Sequence, residues 1–472
     1  MQLPAHRTKI VCTIGPASDA PPLLEQMMEA GMNVARINLA HGTQEEHEAR
    51  ITRIRRAAEK TGHRVAILAD LPGPKLRIGT LPAPVILQPH AFVLLAPDAP
   101  GTAEQIPFDL PPLARPLAPG SAIFLNDGFI ELRVDHQDNH GILCHVVVGG
   151  TLLSHKGVNV PGMALQGGAF TAADRKLMAF ALRAGADGLG VSFVEIGDDL
   201  HVARTEARAL GFTPFLIAKI ERARALSHIG EIIEACDGIM IARGDLGVEV
   251  PIAETALIQK RLIHNARAAG KAVITATQML ESMVHNPRPT RAEVTDVANA
   301  ILDGTDCVML SEESAIGDFP LEAINTLAEI ARVTEESRHE LQPMTDNLDN
   351  SAREEFLIAR NVRDNAERLH PRFVITPTQT GATAARIARF RLQTWIVALS
   401  PDGQTCQRLC LHYGVYPVSM AKPDDSWGSA ARRWLIENGY ASGQYILTQG
   451  PSKGHLRATN RLEILRLETP DY

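Results

Sequence analysis

Before residue 320 this chain alternates short apolar, β-branched runs with helical patterns eight times, and nothing else in it restricts the fold as strongly. The runs are Lys9–Ile14, Asn33–Leu39, Arg64–Ala69, Gly188–Phe193, Phe215–Ile220, Gly238–Ala242, Ala272–Ala276 and Cys307–Leu310. Strands separated by helices make βαβ units and a parallel sheet. Eight in succession predict an α/β fold closed into a (β/α)8 TIM barrel. Continuous apolar stretches such as Ile239-Met240-Ile241 suit strands covered on both faces.

One connection breaks the pattern. From about Pro74 to about Gly157 the chain is Pro-rich, with short alternating strands at Ala122–Leu125 and Ile142–Val146 and no amphipathic helix. A structureless loop of that length does not belong in a compact domain. Residues 74–157 are therefore expected to form an inserted, β-rich domain after the third strand, a small β-barrel. The (β/α)8 barrel, 1–73 and 158–343, resumes near Thr171, an N-cap for a helix over Ala172–Ala184. The polar stretch Met344–Asn350 reads as a linker. Beyond it, 351–472 alternate helices near 352–369 and 382–390 with strands Phe373–Thr376, Trp395–Leu399, Val415–Val418 and Tyr445–Leu447. This predicts a separate α/β domain with a mostly parallel sheet.

Composition narrows the partners. A net charge of -7 with 45% hydrophobic residues gives no reason to expect nucleic acid or a membrane. No apolar run reaches the roughly 18 residues of a membrane helix. The opening MQLPAHRTKIVCTIG lacks the apolar core of a signal peptide. Six cysteines form no CxxC pair, and Cys406 and Cys410 read as helix packing, so a reducing, cytoplasmic setting is expected. The seventeen histidines show no zinc-like spacing.

A barrel carries its chemistry at the C-terminal ends of its strands. Those ends offer Arg36 and Asn38, Asp70, Ser192, Lys219 with Glu221, Arg243-Gly244-Asp245, Thr277-Gln278 and Ser311-Glu312-Glu313. Charges leaving a buried sheet must be paired or must bind ions and substrate. Alternation puts Lys219 and Glu221 on one face of their strand, where a purely structural ion pair is the plain alternative. Glu221 and Asp245 together suit Mg²⁺ or Mn²⁺, which take few protein ligands. Gly244 and Gly247 let backbone N–H groups approach an anion. Arg36 and Arg77 can clamp phosphoryl oxygens. Such a set handles a phosphorylated, acidic small molecule, by phosphoryl transfer or by enolate chemistry; these residues do not separate the two.

From Thr8 to its last residues the chain resembles the pyruvate kinase family. The resemblance rests on RINLAHG (36–42), KGVNVPG (156–162), AKIE (218–221), IMIARGDLGVEV (239–250), TATQMLESM (275–283) and the run from Pro287 to Pro320. It implies a barrel, a β-rich lid after the third strand and a C-terminal α/β domain, assembled as a homotetramer. It implies transfer of the phosphoryl group of phosphoenolpyruvate to ADP, giving pyruvate and ATP, with Mg²⁺ or Mn²⁺ on Glu221 and Asp245. By the same resemblance Lys219, Thr277 and Arg36 are catalytic. Arg36, Ser192, Lys219, Gly244, Asp245 and Thr277 meet phosphoenolpyruvate, and Arg77, Lys156, Asn38 and His41 meet the nucleotide.

Potassium-dependent members of that family bind K⁺ through an Asn and a Ser after the second strand and an Asp and a Thr after the third. Here Asn38 and Asp70 are kept, but Ala40 and Leu71 occupy the Ser and Thr positions. Lys75 stands where those members carry Glu, and Ile78 where they often carry Thr. This resembles the potassium-independent branch. Lys75, held near Asp70, is expected to replace the monovalent cation, so that K⁺ is not required. A Lys75 merely facing solvent at the hinge is the alternative.

Glu312 replaces a usual Gly and is expected to point away from the site. Thr376, Thr378, Thr380, Gly381 and Thr383 precede a helix, where hydroxyls and free N–H groups can bind phosphate. The resemblance implies a sugar-phosphate effector there; N-capping by Thr380 or Thr383 is the alternative. Two other functions compete: a lyase acting on pyruvate or phosphoenolpyruvate, and a non-catalytic sugar-phosphate sensor.

Overall fold

The structure, a computed structural model, describes residues 3–109, 116–126, 128–163, 168–341, 354–450 and 459–467. The expected linker Met344–Asn350 lies outside them. Eight parallel strands close a barrel: Lys9–Thr13, Met32–Asn38, Ala66–Asp70, Gly188–Val191, Phe215–Ile220, Gly238–Ala242, Ala272–Ala276 and Cys307–Leu310. Side chains of alternate parity split into two cores. Val11, Val34, Leu68, Ile217, Met240, Ile274 and Met309 fill the barrel interior, while Ile10, Ala35, Ile37, Ile67, Ala69, Ala218 and Ile239 pack outward onto the helices. This is the period-2 alternation of a strand covered on both faces.

The helix after the lid runs over Ala172–Arg183, and Thr171 caps it in a reciprocal box with Asp174. Asp174 also accepts from the Gly73 N–H at 3.0 Å, so the helix start fastens the turn that leaves the third strand. Gly73 has φ 62, and a Cβ there would lie 2.9 Å from Phe193 and 3.0 Å from Ser192. Only glycine fits both the dihedral and the gap.

The inserted region is β-rich, as expected, but its ladder is two sheets rather than a closed barrel. Six strands order as Val158–Asn159, Ala122–Leu125, Ile130–Asp138, Gly141–Val148, Phe92–Ala96 and Gln105–Pro107, beside a ribbon of Gly150–Leu152 on Val85–Leu87. The edges are two and three residues long, and one ends in Pro107, which has no N–H to extend a ladder. Val158–Asn159 pairs with lid strand Ala122–Leu125, and Val160 and Met163 sit in the lid core, so the lid continues past 157.

The C-terminal sheet orders as Val415–Ser419, Trp395–Ser400, Phe373–Pro377, Gly443–Gln449 and Arg461–Leu467. The first four run parallel, and the last is an antiparallel edge that the sequence reading did not anticipate. Cys406 and Cys410 are buried free thiols at the helix Gly403–Leu409. Among the described residues no helix is long and apolar enough to cross a membrane.

Candidate active site

The charged residues at the barrel mouth continue the rows that fill its interior. Two residues beyond Val11, Val34, Leu68 and Ile217, all inward-facing, come Thr13, Arg36, Asp70 and Lys219. The interior core therefore ends in a polar layer because the alternation carries on while the side chains change from aliphatic to charged.

Asp70 is the centre of that layer. It is 1% exposed. Arg36 meets its Oδ2 through Nη2 at 2.5 Å and Nε at 2.7 Å, and Arg36 Nη1 donates to Thr13 Oγ1 at 2.9 Å. Lys219 Nζ lies 3.1 Å from Asp70 Oδ1 and 3.0 Å from Glu221 Oε1, and donates to Ser192 Oγ at 2.6 Å. Burial alone would raise the Asp70 pKa, but Lys219 and Arg36 outweigh it and hold the carboxyl below its ordinary value. Burial would likewise strip a proton from Lys219; Asp70 and Glu221 reverse that and push its pKa up. Glu221 is pushed up by burial first, then by the neighbouring Asp245 charge, against the pull of Lys219.

The fourth strand ends at Val191 rather than Phe193. Phe193 turns into the left-handed region, φ 55, and its N–H leaves the ladder to donate to Glu221 Oε2 at 2.7 Å. Ser192 Oγ donates to the Leu71 carbonyl at 2.7 Å while accepting from Lys219. One turn thus orients both Lys219 and Glu221. The sequence reading credited Ser192 and overlooked Phe193 and Thr13. Thr13 was findable by the strand-end rule; Phe193 acts through its backbone and leaves no side-chain signal.

The sixth and seventh strands supply a second wall. Arg243–Glu249 turns into a short helix, so Asp245 stands in its first turn. Thr277 and Gln278 are both left-handed, with φ 66 and 55. Such residues cost of order 1–3 kcal/mol each and need surrounding support. Arg243 provides it: Nη2 donates to the Thr277 and Gln278 carbonyls at 2.7 and 3.1 Å, and Nη1 pairs with Asp296 at 2.5 Å. The Gly244 N–H donates to Thr277 Oγ1 at 2.9 Å, so this amide is already engaged rather than open to an anion.

Lys75 departs from expectation. Its ammonium binds Asp245 Oδ1 at 3.1 Å, not Asp70, whose carboxylate Arg36 and Lys219 already occupy. Leu71 and Ile78 are each 1% exposed and apolar, so neither side chain can hand an oxygen to a cation. Asn38 spends its Oδ1 on the Ala40 N–H at 3.2 Å. The two lid-linking strands meet at an Arg77–Gly157 bridge, with the Lys156 carbonyl taking the Ile78 N–H at 3.0 Å. Partial burial, then Arg77, Lys75 and Arg36, push the His41 pKa down, which marks a cationic pocket at the lid hinge.

Glu221 and Asp245 fit a divalent cation of the Mg²⁺ kind. Both donors are carboxylate oxygens, and burial first, then the Asp245 charge, raises Glu221, a cost that a dication would relieve. No group of three or more His, Cys, Asp or Glu ligands occurs among the described residues, so the remaining positions would fall to substrate and water. Glu312 is exposed, whereas Glu313 is buried and accepts from the Leu280 and Ser311 N–H groups.

The Thr376–Thr383 segment lies apart, at the end of a C-terminal strand. Thr376 is buried against Thr448, Thr378 Oγ1 accepts from the Gly381 N–H at 2.9 Å, and Thr383 meets Thr459 at 2.6 Å. The helix there begins at a left-handed Gly381 with no side-chain cap, so neither Thr380 nor Thr383 caps it.

A parallel barrel whose mouth gathers cations around three carboxylates, with a second domain hinged over it, fits a class of phosphate-handling enzymes. Comparison with known proteins narrows the class. The pyruvate kinase barrel domain matches residues 5–324 and the pyruvate kinase alpha/beta domain residues 357–465. A pyruvate kinase of Thermococcus litoralis is 42% identical over 99% of this chain and 100% of its own length. Those of Geobacillus stearothermophilus and Methylorubrum extorquens are 41% and 39% identical, over 97% and 98% of this chain and 80% and 97% of theirs. The chain belongs to the pyruvate kinase family and is an enzyme that transfers phosphate.

Proposed function

We propose that the chain transfers the phosphoryl group of phosphoenolpyruvate to ADP, yielding pyruvate and ATP, and that it does so without K⁺. The observation that carries this reading is Lys219, a protonated ammonium fixed by Asp70, Glu221 and Ser192 in the barrel mouth. Held above its ordinary pKa, it is a poor proton donor and a strong electrostatic one. Its role is to stabilise charge on the transferring phosphoryl group and on the enolate oxygen left behind. Arg36 clamps the phosphoryl oxygens from the other side of Asp70. The proton taken up by the enolate then arrives from the Thr277 side, through water. Thr277 and the Gly244–Asp245 backbone form the wall for the substrate carboxylate, which takes over the Gly244 N–H now spent on Thr277. Glu221 and Asp245 would hold Mg²⁺ or Mn²⁺, which would supply Lewis-acid neutralisation of charge on the substrate. Arg77 and Lys156 receive the nucleotide phosphates, Asn38 and His41 stand beside the nucleotide, and the lid closes to exclude water.

Potassium independence is supported by the missing oxygens at Ala40, Leu71 and Ile78 and by an Asp70 already matched by two cations. Lys75 supplies the charge that K⁺ otherwise brings once its contact with Asp245 gives way. A homotetramer is supported by apolar side chains exposed at Ile252, Leu257 and Val294, after the sixth and seventh strands. An effector at Thr376–Thr383 would have to displace the bonds now made by Thr378 and Thr383.

The test is the initial rate of pyruvate formation with Mg²⁺ in K⁺-free buffer and with added KCl, at ionic strength matched by a tetraalkylammonium salt. Full rate without K⁺ is expected. Strong activation by K⁺ would remove the Lys75 role and leave the transferase; turnover without ADP would favour a lyase.

A further inference from the structure

We propose that Lys75 latches the divalent-metal site, so that loading the metal on Asp245 expels the Lys75 ammonium and frees the lid hinge. The inference rests on the reading of Asp245 as a metal ligand. Each of the two carboxylates read as metal ligands already carries an ammonium: Lys219 on Glu221 at 3.0 Å and Lys75 on Asp245 at 3.1 Å. The two lysines are held very differently. Lys219 sits on a barrel strand and also binds Asp70 and Ser192. Its side chain is 11% exposed and stays put when a dication takes a Glu221 oxygen. Lys75 sits in the hinge, its side chain is 32% exposed, and Asp245 is the ionic partner that fixes it. A pair so open to water is weak and exchangeable. A dication arriving at Asp245 displaces Lys75, not Lys219.

The contact also spans the two bodies. It joins the segment entering the lid to the Arg243–Glu249 helix at the barrel mouth, across 170 residues of sequence. A Cβ on Gly157 would lie 3.4 Å from Lys75 Cε, so the Lys75 stem crosses the returning hinge strand as well. The small cavity behind it is walled by lid residues Phe124 and Gly128 and barrel residues Phe193 and Val248. While Lys75 holds Asp245, both hinge strands are tied to the barrel. Once released, the ammonium is free to join Arg77 and Arg36 around His41, where an anionic substrate would meet it.

The test is Mn²⁺ titration of the full-length protein without substrates, read by electron paramagnetic resonance, together with hydrogen exchange over 72–78. Lys75→Met and Lys75→Gln are expected to bind Mn²⁺ roughly five-fold or more tightly than the parent, the size of one contact ion-pair repulsion in a wet site. Lys75→Arg keeps the charge and should match the parent. Exchange over 72–78 should rise on adding Mn²⁺ to the parent and start high in metal-free Lys75→Met. Mn²⁺ binding that weakens in Asp245→Asn yet ignores Lys75 overturns the latch and leaves the metal reading intact. Binding indifferent to Asp245→Asn overturns both.

Discussion

The two ends of the barrel bury charge to opposite effect. At the mouth, Lys219 lies between Asp70 and Glu221 and its pKa is pushed up. At the floor, Lys9 is buried more completely, and its ammonium meets the Val415 carbonyl at 2.8 Å and the Trp395 ring at 4.9 Å. Burial wins there and its pKa is pushed down. The floor's ion pair, Arg391 with Asp306 at 2.8 Å, is saturated: Arg391 also binds the Gly304 and Ala388 carbonyls, and Asp306 accepts from the Val273 and Tyr413 N–H groups. Those partners come from both the barrel and the C-terminal domain, so the floor charges weld the two together. The mouth carboxylates Asp70 and Glu221 are just as buried, but their cations Lys219 and Arg36 keep 11% and 12% of their side chains exposed. A buried charge whose cation is also sealed in is structural; one whose cation keeps a face toward the barrel mouth is available for chemistry.

The comparison can be broken most forcefully at the floor. Arg391→Met should cost about 3–5 kcal/mol of stability, because it leaves the Asp306 carboxylate buried without its counter-charge. Denaturant midpoints measure it, and the folded fraction should keep its turnover. At the mouth, Lys219→Met should do the reverse. Turnover should fall roughly 10²–10³-fold or more, the usual loss for one transition-state donor, with a smaller loss of midpoint than Arg391→Met, because Arg36 still neutralises Asp70 and Glu221 can take up a proton. If Lys219→Met unfolds the protein and Arg391→Met inactivates it, the assignment of the two ends is wrong.

A gentler probe is pH. His412, at the floor, is held neutral by burial, with its pKa pushed down to about 4. Its unfolded value is about 6.5. Between those values the unfolded chain binds the extra proton, so stability is full above about 6.5 and is lost as pH falls towards 4, by up to about 3 kcal/mol. His412→Gln should flatten that slope in urea melts taken across the window. An unchanged slope would mean that the floor does not exclude water from this side chain.

Much of the architecture was legible because it depends on local pattern. All eight barrel strands follow from apolar runs between helical periods, with ends shifted by a residue or two. The lid was legible as the one connection without helical periodicity. Strand Arg461–Leu467 was not, because an exposed antiparallel edge reading Arg461-Leu462-Glu463-Ile464-Leu465-Arg466-Leu467 mixes its faces, and only Leu465 is buried. At the site, Arg36, Asp70, Ser192, Lys219 and Glu221 do converge, as the strand-end rule requires. The partner of Lys75 differs from the expectation: the resemblance put it near Asp70, a ligand of the cation it would replace, while the fold delivers Asp245 from the end of the sixth strand.

The sequence by itself determined the class of fold and the types of group at the mouth, since alternation and strand ends are properties of consecutive residues. Tertiary structure alone decided which carboxylate each ammonium holds, that Arg243 supports the left-handed Thr277 and Gln278, and that the Phe193 N–H aims at Glu221. These are contacts between strands distant in the chain. They are set by barrel closure and by competition among several nearby charges, and no local pattern records how that competition ends.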